Sequence, residues 1–207
     1  MKLQELISGL PEACLMQGGD PEVTGLVTDS RKVKLGDLFV AGRDLLFDRH
    51  AYVPQAVAAG AVAVVVEEAV EAGSAAVVQV PSTQRATALL AEQFYGSPSN
   101  ALRMVGVTGT NGKTTTVYLI RAILSAAGWQ PGLISTVENH LGAQPLPSSN
   151  STPESHDLQR MFREMVRAGC RSVVMEVSSH GLALDRVYGI RFETAVFTNL
   201  SRDHLDF

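Results

Sequence analysis

Leu102-Arg-Met-Val-Gly-Val-Thr-Gly-Thr-Asn-Gly-Lys-Thr-Thr-Thr116 is the stretch around which the rest of the chain is read. Met104 to Val107 is a run of the length expected for a buried parallel strand. The chain then turns through Gly109 and Gly112 and enters a helical pattern from Val117 to Ala127. A strand, a glycine loop, a Lys-Thr pair and a helix together make a cradle for phosphate. The glycines let backbone N–H groups approach an anion closely, and the helix N-terminus adds positive potential. In such a loop Lys113 reaches the terminal phosphates and the Thr114 hydroxyl ligates Mg²⁺. Gly109, Thr110, Asn111, Gly112, Lys113, Thr114 and Thr115 are the nucleotide-binding candidates. The spacing departs from the common G-x-x-x-x-G-K-[ST] form: Val107 stands where its first Gly would fall, and Gly106 lies one place early.

The 207 residues allow one large domain or two small ones. A hydrophobic content of 45% and a charged content of 18% suit a globular protein with a real core. The 17 basic and 21 acidic residues leave a net charge of −4, which speaks against a general nucleic-acid binder with its basic face. Cys14 and Cys170 lie far apart and in no metal spacing, so both read as buried small hydrophobes of a reducing, cytoplasmic protein. Gln4 and Glu5 break the N-terminal segment, unlike a signal peptide. The longest apolar run, Ala56 to Val66, is about 11 residues and too short to span a membrane.

Gly96-Ser-Pro-Ser-Asn100 is a linker by its breaker residues, so a boundary is predicted between residues 1–98 and 99–207. In the first part, Leu3, Leu6, Ile7 and Leu10 keep helical spacing as far as Pro11. Val23 to Thr28 and Gly36 to Ala41 read as strands, and Val53 to Ala59 as a helix. Ala61 to Val66 and Ala76 to Val80 read as buried strands, and Ser82 to Tyr95 as a helix. Asp29-Ser30-Arg31 follows the first strand. There Ser offers a hydroxyl and Arg a fork for phosphate, with an ordinary turn as the alternative. Residues 42–52 read as a loop in which Leu45, Leu46 and Phe47 either pack or rim a ligand, and His50 reads as a surface or packing residue.

The second part opens with the phosphate loop. Gly132 to Val137, Arg171 to Val177 and Thr194 to Thr198 supply three further strands. Ser148 to Pro153 is a polar loop before a helix, Glu154 to Ala168, with Glu154 in the first turn, where an acid suits the dipole. Strands alternating with helices predict an α/β fold with a parallel, doubly wound sheet, whose ligands gather at the carboxyl ends of strands. Three polar clusters fall at such ends: Gly109 to Thr115, Glu176 to His180, and Asn199 to His204.

Glu176 lies among Val173, Val174, Met175 and Val177 on a strand predicted to be buried, where a carboxylate is costly without a cation. Thr114 and Glu176 together offer oxygen ligands to a nucleotide's Mg²⁺, a hard octahedral ion. His204 is a ligand for a second metal, a phosphate contact or a satisfied loop histidine. Ser178 and Ser179 have no paired base and acid at triad-like positions, so hydroxyl contacts to substrate are expected of them.

Thr108-Gly-Thr-Asn-Gly-Lys-Thr-Thr115, Met175-Glu-Val-Ser-Ser-His-Gly-Leu182 and Thr198-Asn-Leu-Ser-Arg-Asp-His-Leu-Asp206 together resemble the Mur ligases of peptidoglycan synthesis. With Asp29-Ser-Arg31 and Gly36-Asp-Leu-Phe39 upstream, the Glu-Val-Ser-Ser-His form is most similar to the MurE type. Those are the UDP-N-acetylmuramoyl-L-alanyl-D-glutamate ligases, which add the third peptide residue. The resemblance covers nearly the whole chain. It implies an N-terminal α/β domain for the UDP-sugar over residues 1–98. Over residues 99–207 it implies the first part of a central P-loop, parallel-sheet ATPase domain.

By the same resemblance, Ser30 contacts the uridine part of the substrate, and Asn150, Ser151, Thr152, Ser178 and Arg186 line the muramyl-peptide site. Thr114 and Glu176 bind one Mg²⁺ and His204 the second, so that Lys113, Glu176 and His204 form the catalytic set. The implied reaction activates the D-Glu carboxylate with the γ-phosphate of ATP. The acyl phosphate is then attacked by the amine of a diamino acid, meso-diaminopimelate or lysine. The loop at residues 43–50 departs from the family, with Arg49 standing where an Asp-Gly-His sequence is common. The family's carbamylated Lys and its amino-acid-selecting domain would lie beyond Phe207, which implies a fragment that does not complete the reaction. Two other classes compete. One is a non-catalytic module that binds sugar nucleotide and ATP. The other is a P-loop kinase or switch GTPase, disfavoured by Val107 and by the lack of a guanine-selecting Asn-Lys-x-Asp pattern.

Overall fold

The computed structural model describes residues 1–43, 48–142, 144–148 and 150–202. It divides into two compact units, Met1–Phe94 and Tyr95–Phe207.

The first unit runs α1 (Leu3–Ile7), β1 (Cys14–Gln17), β2 (Gly25–Val27), β3 (Asp37–Val40), α2 (Val53–Ala58), β4 (Ala63–Val66), β5 (Ala76–Gln79) and α3 (Thr83–Tyr95). Its sheet has the order β1-β5-β4-β3-β2. The strands β2 to β5 are parallel, and β3 and β4 are buried at every position, as strands covered on both faces must be. Phe39, Val53, Ala56, Val64 and Val66 lie in its core. β1 pairs antiparallel with β5 at the edge, where sequence reading finds no strand. Most of its positions face solvent, so it carries no apolar run. Cys14 lies on it and is exposed, contrary to expectation, whereas Cys170 is buried.

The second unit runs β6 (Arg103–Thr108), α4 (Lys113–Ala126), β7 (Pro131–Ile134), β8 (Glu138–His140), β9 (Pro145–Pro147), α5 (Ser155–Arg167), β10 (Ser172–Glu176), α6 (Ser179–Ala183) and β11 (Thr194–Phe197). The sheet order is β11-β6-β10-β7-β8-β9. The first four strands are parallel, as the alternation of strands and helices predicts. β8 and β9 extend the sheet antiparallel to β7, making it mixed rather than wholly parallel. Glu-Asn-His and Pro-Leu-Pro are too short and too poor in alternation to announce strands.

Strand alternation then places the site. Met104, Val173 and Met175 pack with Leu158, Phe162 and Met165 of α5. Val107 and Val174 pack on the opposite face with Val117 of α4. Glu176 lies two residues beyond Val174, so its side chain emerges on the α4 face, beside the start of that helix. Glu154 precedes α5 rather than sitting in its first turn, and its carboxylate pairs with Arg186 at 2.6 Å instead of serving the dipole. No helix among the described residues is long and apolar enough to cross a membrane.

Candidate functional site

The loop between β6 and α4 is four residues long, and its glycines are needed for different reasons. Gly109 has φ +128°, and a Cβ there would overlap the Thr198 hydroxyl and the Asn199 carbonyl. Gly112, at φ +83°, is the N-cap of α4 and has no side chain of its own to accept from the helix's first amides. Those amides remain available to an anion. The Lys113 Nζ donates to the carbonyls of Gly109 at 2.7 Å and Thr110 at 3.0 Å, folding over the loop. Thr115 is exposed beside it.

Glu176 is 1% exposed. Its Oε1 accepts from Thr114 Oγ1 and from the Thr136 N–H, both at 2.9 Å, and its Oε2 accepts from Thr136 Oγ1 at 3.2 Å. Among the described residues no Lys or Arg pairs with it. A buried carboxylate with three neutral donors lacks a counter-charge, and a carboxylate beside a hydroxyl is the oxygen donor set of a hard divalent cation. The residues present therefore fit Mg²⁺. Thr136 is absent from the sequence-derived site. Its place just past β7 follows the strand-end rule that selects Thr114 and Glu176.

Thr152, Ser178 and Arg186 are brought together beside the Glu176 backbone. The fully buried Thr152 hydroxyl accepts from the Ser178 N–H at 2.9 Å and donates to the Glu176 carbonyl at 3.2 Å, 3.1 Å from Ser178 Oγ. Ser178 caps α6 by accepting from the Gly181 N–H at 3.0 Å. Arg186 donates to the Thr152 carbonyl at 2.9 Å and pairs with Glu154 at 2.6 Å. Asn150 is exposed and Ser151 half-buried. His204 lies outside the described residues.

In the first unit, Ser30 is buried at the start of a short 3₁₀ turn, Ser30–Lys32, and donates to Gln55 Oε1 at 3.1 Å. A cavity of ≈ 500 Å³ opens there, lined by Thr28, Ser30, Phe39, Arg49, Tyr52 and Gln55 among others. Gln55 carries no sequence signal, being one polar residue on a short helix. The Arg31 fork, read as a phosphate contact, instead donates twice to Asp29 at 2.9 Å, and its side chain is 81% exposed. That hydrogen bond holds the Asp29 carboxyl down at about 2. His50 is buried. Its Nε2 accepts from the Glu67 N–H at 2.9 Å, so Nδ1 carries the proton and donates to Asp48 at 2.6 Å, a structural role. Leu45, Leu46 and Phe47 lie outside the described residues.

A model of the Mur ligase family catalytic domain matches residues 22–95, and a model of the Mur ligase middle domain matches residues 107–207. The chain belongs to the Mur ligase family. Its first match takes in Ser30 and Gln55. Its second takes in the phosphate loop, Thr136, Glu176 and Ser178. Among Mur ligases, the UDP-N-acetylmuramoyl-L-alanyl-D-glutamate–2,6-diaminopimelate ligase of Geobacillus thermodenitrificans (strain NG80-2) is 47% identical over 207 residues, covering 100% of this chain and 42% of that one. A solved structure of a UDP-N-acetylmuramoyl-L-alanyl-D-glutamate–2,6-diaminopimelate ligase is 31% identical with a TM-score of 0.78, over 99% of this chain and 41% of that one. The MurF ligase from Thermotoga maritima, solved in complex with ADP, shares the fold at 23% identity and a TM-score of 0.57, over 86% of this chain and 38% of that one. This Mur ligase chain thus spans 42% of the length of the Geobacillus relative.

Proposed function

We propose that this chain is the sugar-nucleotide- and ATP-binding part of a cytoplasmic MurE-type ligase. The enzyme would join a diamino acid, diaminopimelate in the named relatives, to UDP-N-acetylmuramoyl-L-alanyl-D-glutamate. The product feeds peptidoglycan synthesis, and through it cell shape and division. The observation that carries the reading is the Glu176 carboxylate, buried against Thr114 at the first turn of the phosphate-loop helix and lacking a protein cation among the described residues.

In the second unit, the first amides of α4 and Lys113 hold the β- and γ-phosphates, Lys113 leaving the Gly109 and Thr110 carbonyls to do so. Thr114 and Glu176 would hold one Mg²⁺ and His204 a second, supplying charge neutralisation of the transferring phosphoryl group. Asn150, Ser151, Ser178 and Arg186 line the muramyl-peptide side, with Thr152 fixing Ser178 from within. Arg186 is the fork that would orient a substrate carboxylate, exchanging Glu154 for it. That carboxylate oxygen bonds to the γ-phosphorus as the bond to the leaving oxygen of ADP breaks. The amine then attacks the acyl carbon and expels phosphate. In the first unit, Ser30 and Gln55 contact the uridine part within the cavity.

Calorimetry on the 207-residue chain tests the proposal. UDP-N-acetylmuramoyl-L-alanyl-D-glutamate and ADP should each bind, the latter only weakly once Mg²⁺ is chelated. A chain that binds no ADP in the presence of Mg²⁺ would remove the ligase reading.

A further inference from the structure

The phosphate loop is tied to the segment after β11 by side chains that cross in both directions. From that segment, Asn199 reaches the loop: its Oδ1 accepts from the Asn111 N–H at 3.1 Å and its Nδ2 donates to the Asn111 carbonyl at 3.0 Å. From the loop, Thr110 reaches back: its Oγ1 accepts from the Ser201 N–H at 2.9 Å and donates to the Ser201 carbonyl at 3.2 Å. Between the two crossings the Thr110 N–H donates to the Asn199 carbonyl at 3.0 Å. Thr198 Oγ1 adds a bond to the Asn111 carbonyl at 2.7 Å. Gly109 leaves no room for a side chain against the same two residues, so the segments lie in direct contact.

An amide presents donor and acceptor side by side, which suits Asn199 to the N–H and C=O of a single residue much as a neighbouring strand would be. The Thr110 hydroxyl does the same for Ser201 with one atom. Thr110 and Asn111 belong to neither strand nor helix and stand between two glycines. Without outside support this loop would be ordered only when ligand arrives, and the lost entropy would weaken binding.

We propose that Thr110 and Asn199 form a reciprocal clasp that holds the phosphate loop in its binding shape. Both are positioning residues for the nucleotide rather than contacts to it. The inference rests on the reading above that this loop binds ATP.

Calorimetry of ADP with Mg²⁺ on the 207-residue chain tests the clasp through three variants. Thr110→Val is nearly isosteric and removes the hydroxyl, Thr110→Ser keeps it, and Asn199→Ala removes the amide. Thr110→Val and Asn199→Ala should each raise Kd about tenfold, while Thr110→Ser stays within about twofold of wild type. The double variant should lose less than the product of the single losses, because both limbs act on one loop. Amide exchange at Asn111 in the ligand-free chain should quicken in Asn199→Ala, a readout that needs no nucleotide. Wild-type affinity in Thr110→Val, or equal losses in Thr110→Ser and Thr110→Val, would overturn the clasp. Losses that multiply in full would overturn it in favour of a direct Thr110 contact to the ligand. Should Asn199→Ala not fold, the Thr110 pair decides alone. A wild-type chain that binds no ADP overturns the ATP reading and the clasp together, whereas wild-type binding with unaffected variants overturns the clasp only.

Discussion

The Thr114 hydroxyl and the Glu176 carboxylate meet at 2.9 Å, although 62 residues separate them in the chain. One stands in the first turn of α4 and the other at the last position of β10, and Thr136 donates to both oxygens of the same carboxylate. The contact joins the phosphate loop to a buried carboxylate that no Lys or Arg among the described residues compensates.

Glu176→Gln keeps the shape and removes that charge. The Mg²⁺-dependent part of ADP affinity should fall, and raised Mg²⁺ should restore some of it. The folding midpoint should hold or rise, because a buried charge with no Lys or Arg partner among the described residues is gone. Calorimetry across a Mg²⁺ series checks this. Full Mg²⁺ dependence in the variant would place the ion elsewhere.

Lys113→Ala should weaken ADP binding by about 1.5–3 kcal/mol, the range for hydrogen bonds to charged groups. Added Mg²⁺ should not restore it, since the lost cation belonged to the chain. UDP-N-acetylmuramoyl-L-alanyl-D-glutamate should bind as before, because Ser30 and Gln55 lie in the other unit. Loss of both ligands together with a lowered thermal midpoint would signal unfolding instead.

Ser30→Ala leaves Gln55 Oε1 without its donor in the first-unit cavity. Affinity for the UDP-sugar should drop by about 1–3 kcal/mol as a desolvated partner goes unpaired. Titrating both proteins with the same ligand decides the matter, and equal affinities would remove Ser30 from the site.

Asp29 titrates at about 2 rather than at its ordinary 3.8 because the Arg31 guanidinium donates to it. A lowered folded-state value stabilises the fold above the ordinary aspartate value, and this contribution is lost as pH falls through the folded one. The midpoint difference between wild type and Asp29→Asn should therefore be constant above about pH 5 and shrink between about pH 4 and 2. A difference that widens on acidification would contradict the pairing.

Gly109→Ala and Gly112→Ala separate close approach from conformation. The first places a methyl against Thr198 and Asn199, the second has open space around it, and both have positive φ. Gly112→Ala should cost about 1–2 kcal/mol of stability, the ordinary penalty of a left-handed residue. Gly109→Ala should cost more and abolish ADP binding. Thermal unfolding and calorimetry of the two variants compare them, and equal costs would mean that the loop yields to the added methyl.

The sequence by itself determined whatever is written within one local window. The parallel strands β6, β7, β10 and β11 are legible as apolar runs between breakers. The phosphate loop is legible because its strand, glycines, lysine and helix fall within 15 consecutive residues, 102 to 116. β1, β8 and β9 are not, being exposed, very short or proline-rich, so that neither period nor composition marks them. Only the tertiary structure decided which polar side chains face one another. Glu176 reaches Thr114 because β10 lies parallel to β6 with Glu176 opposite Val107, and a one-residue slip would turn the carboxylate to the α5 face. Arg31 turns to Asp29, Arg186 pairs with Glu154, and the Thr152 hydroxyl points inward to Ser178. Such pairings depend on register and packing between distant segments, and no period within a single segment encodes them.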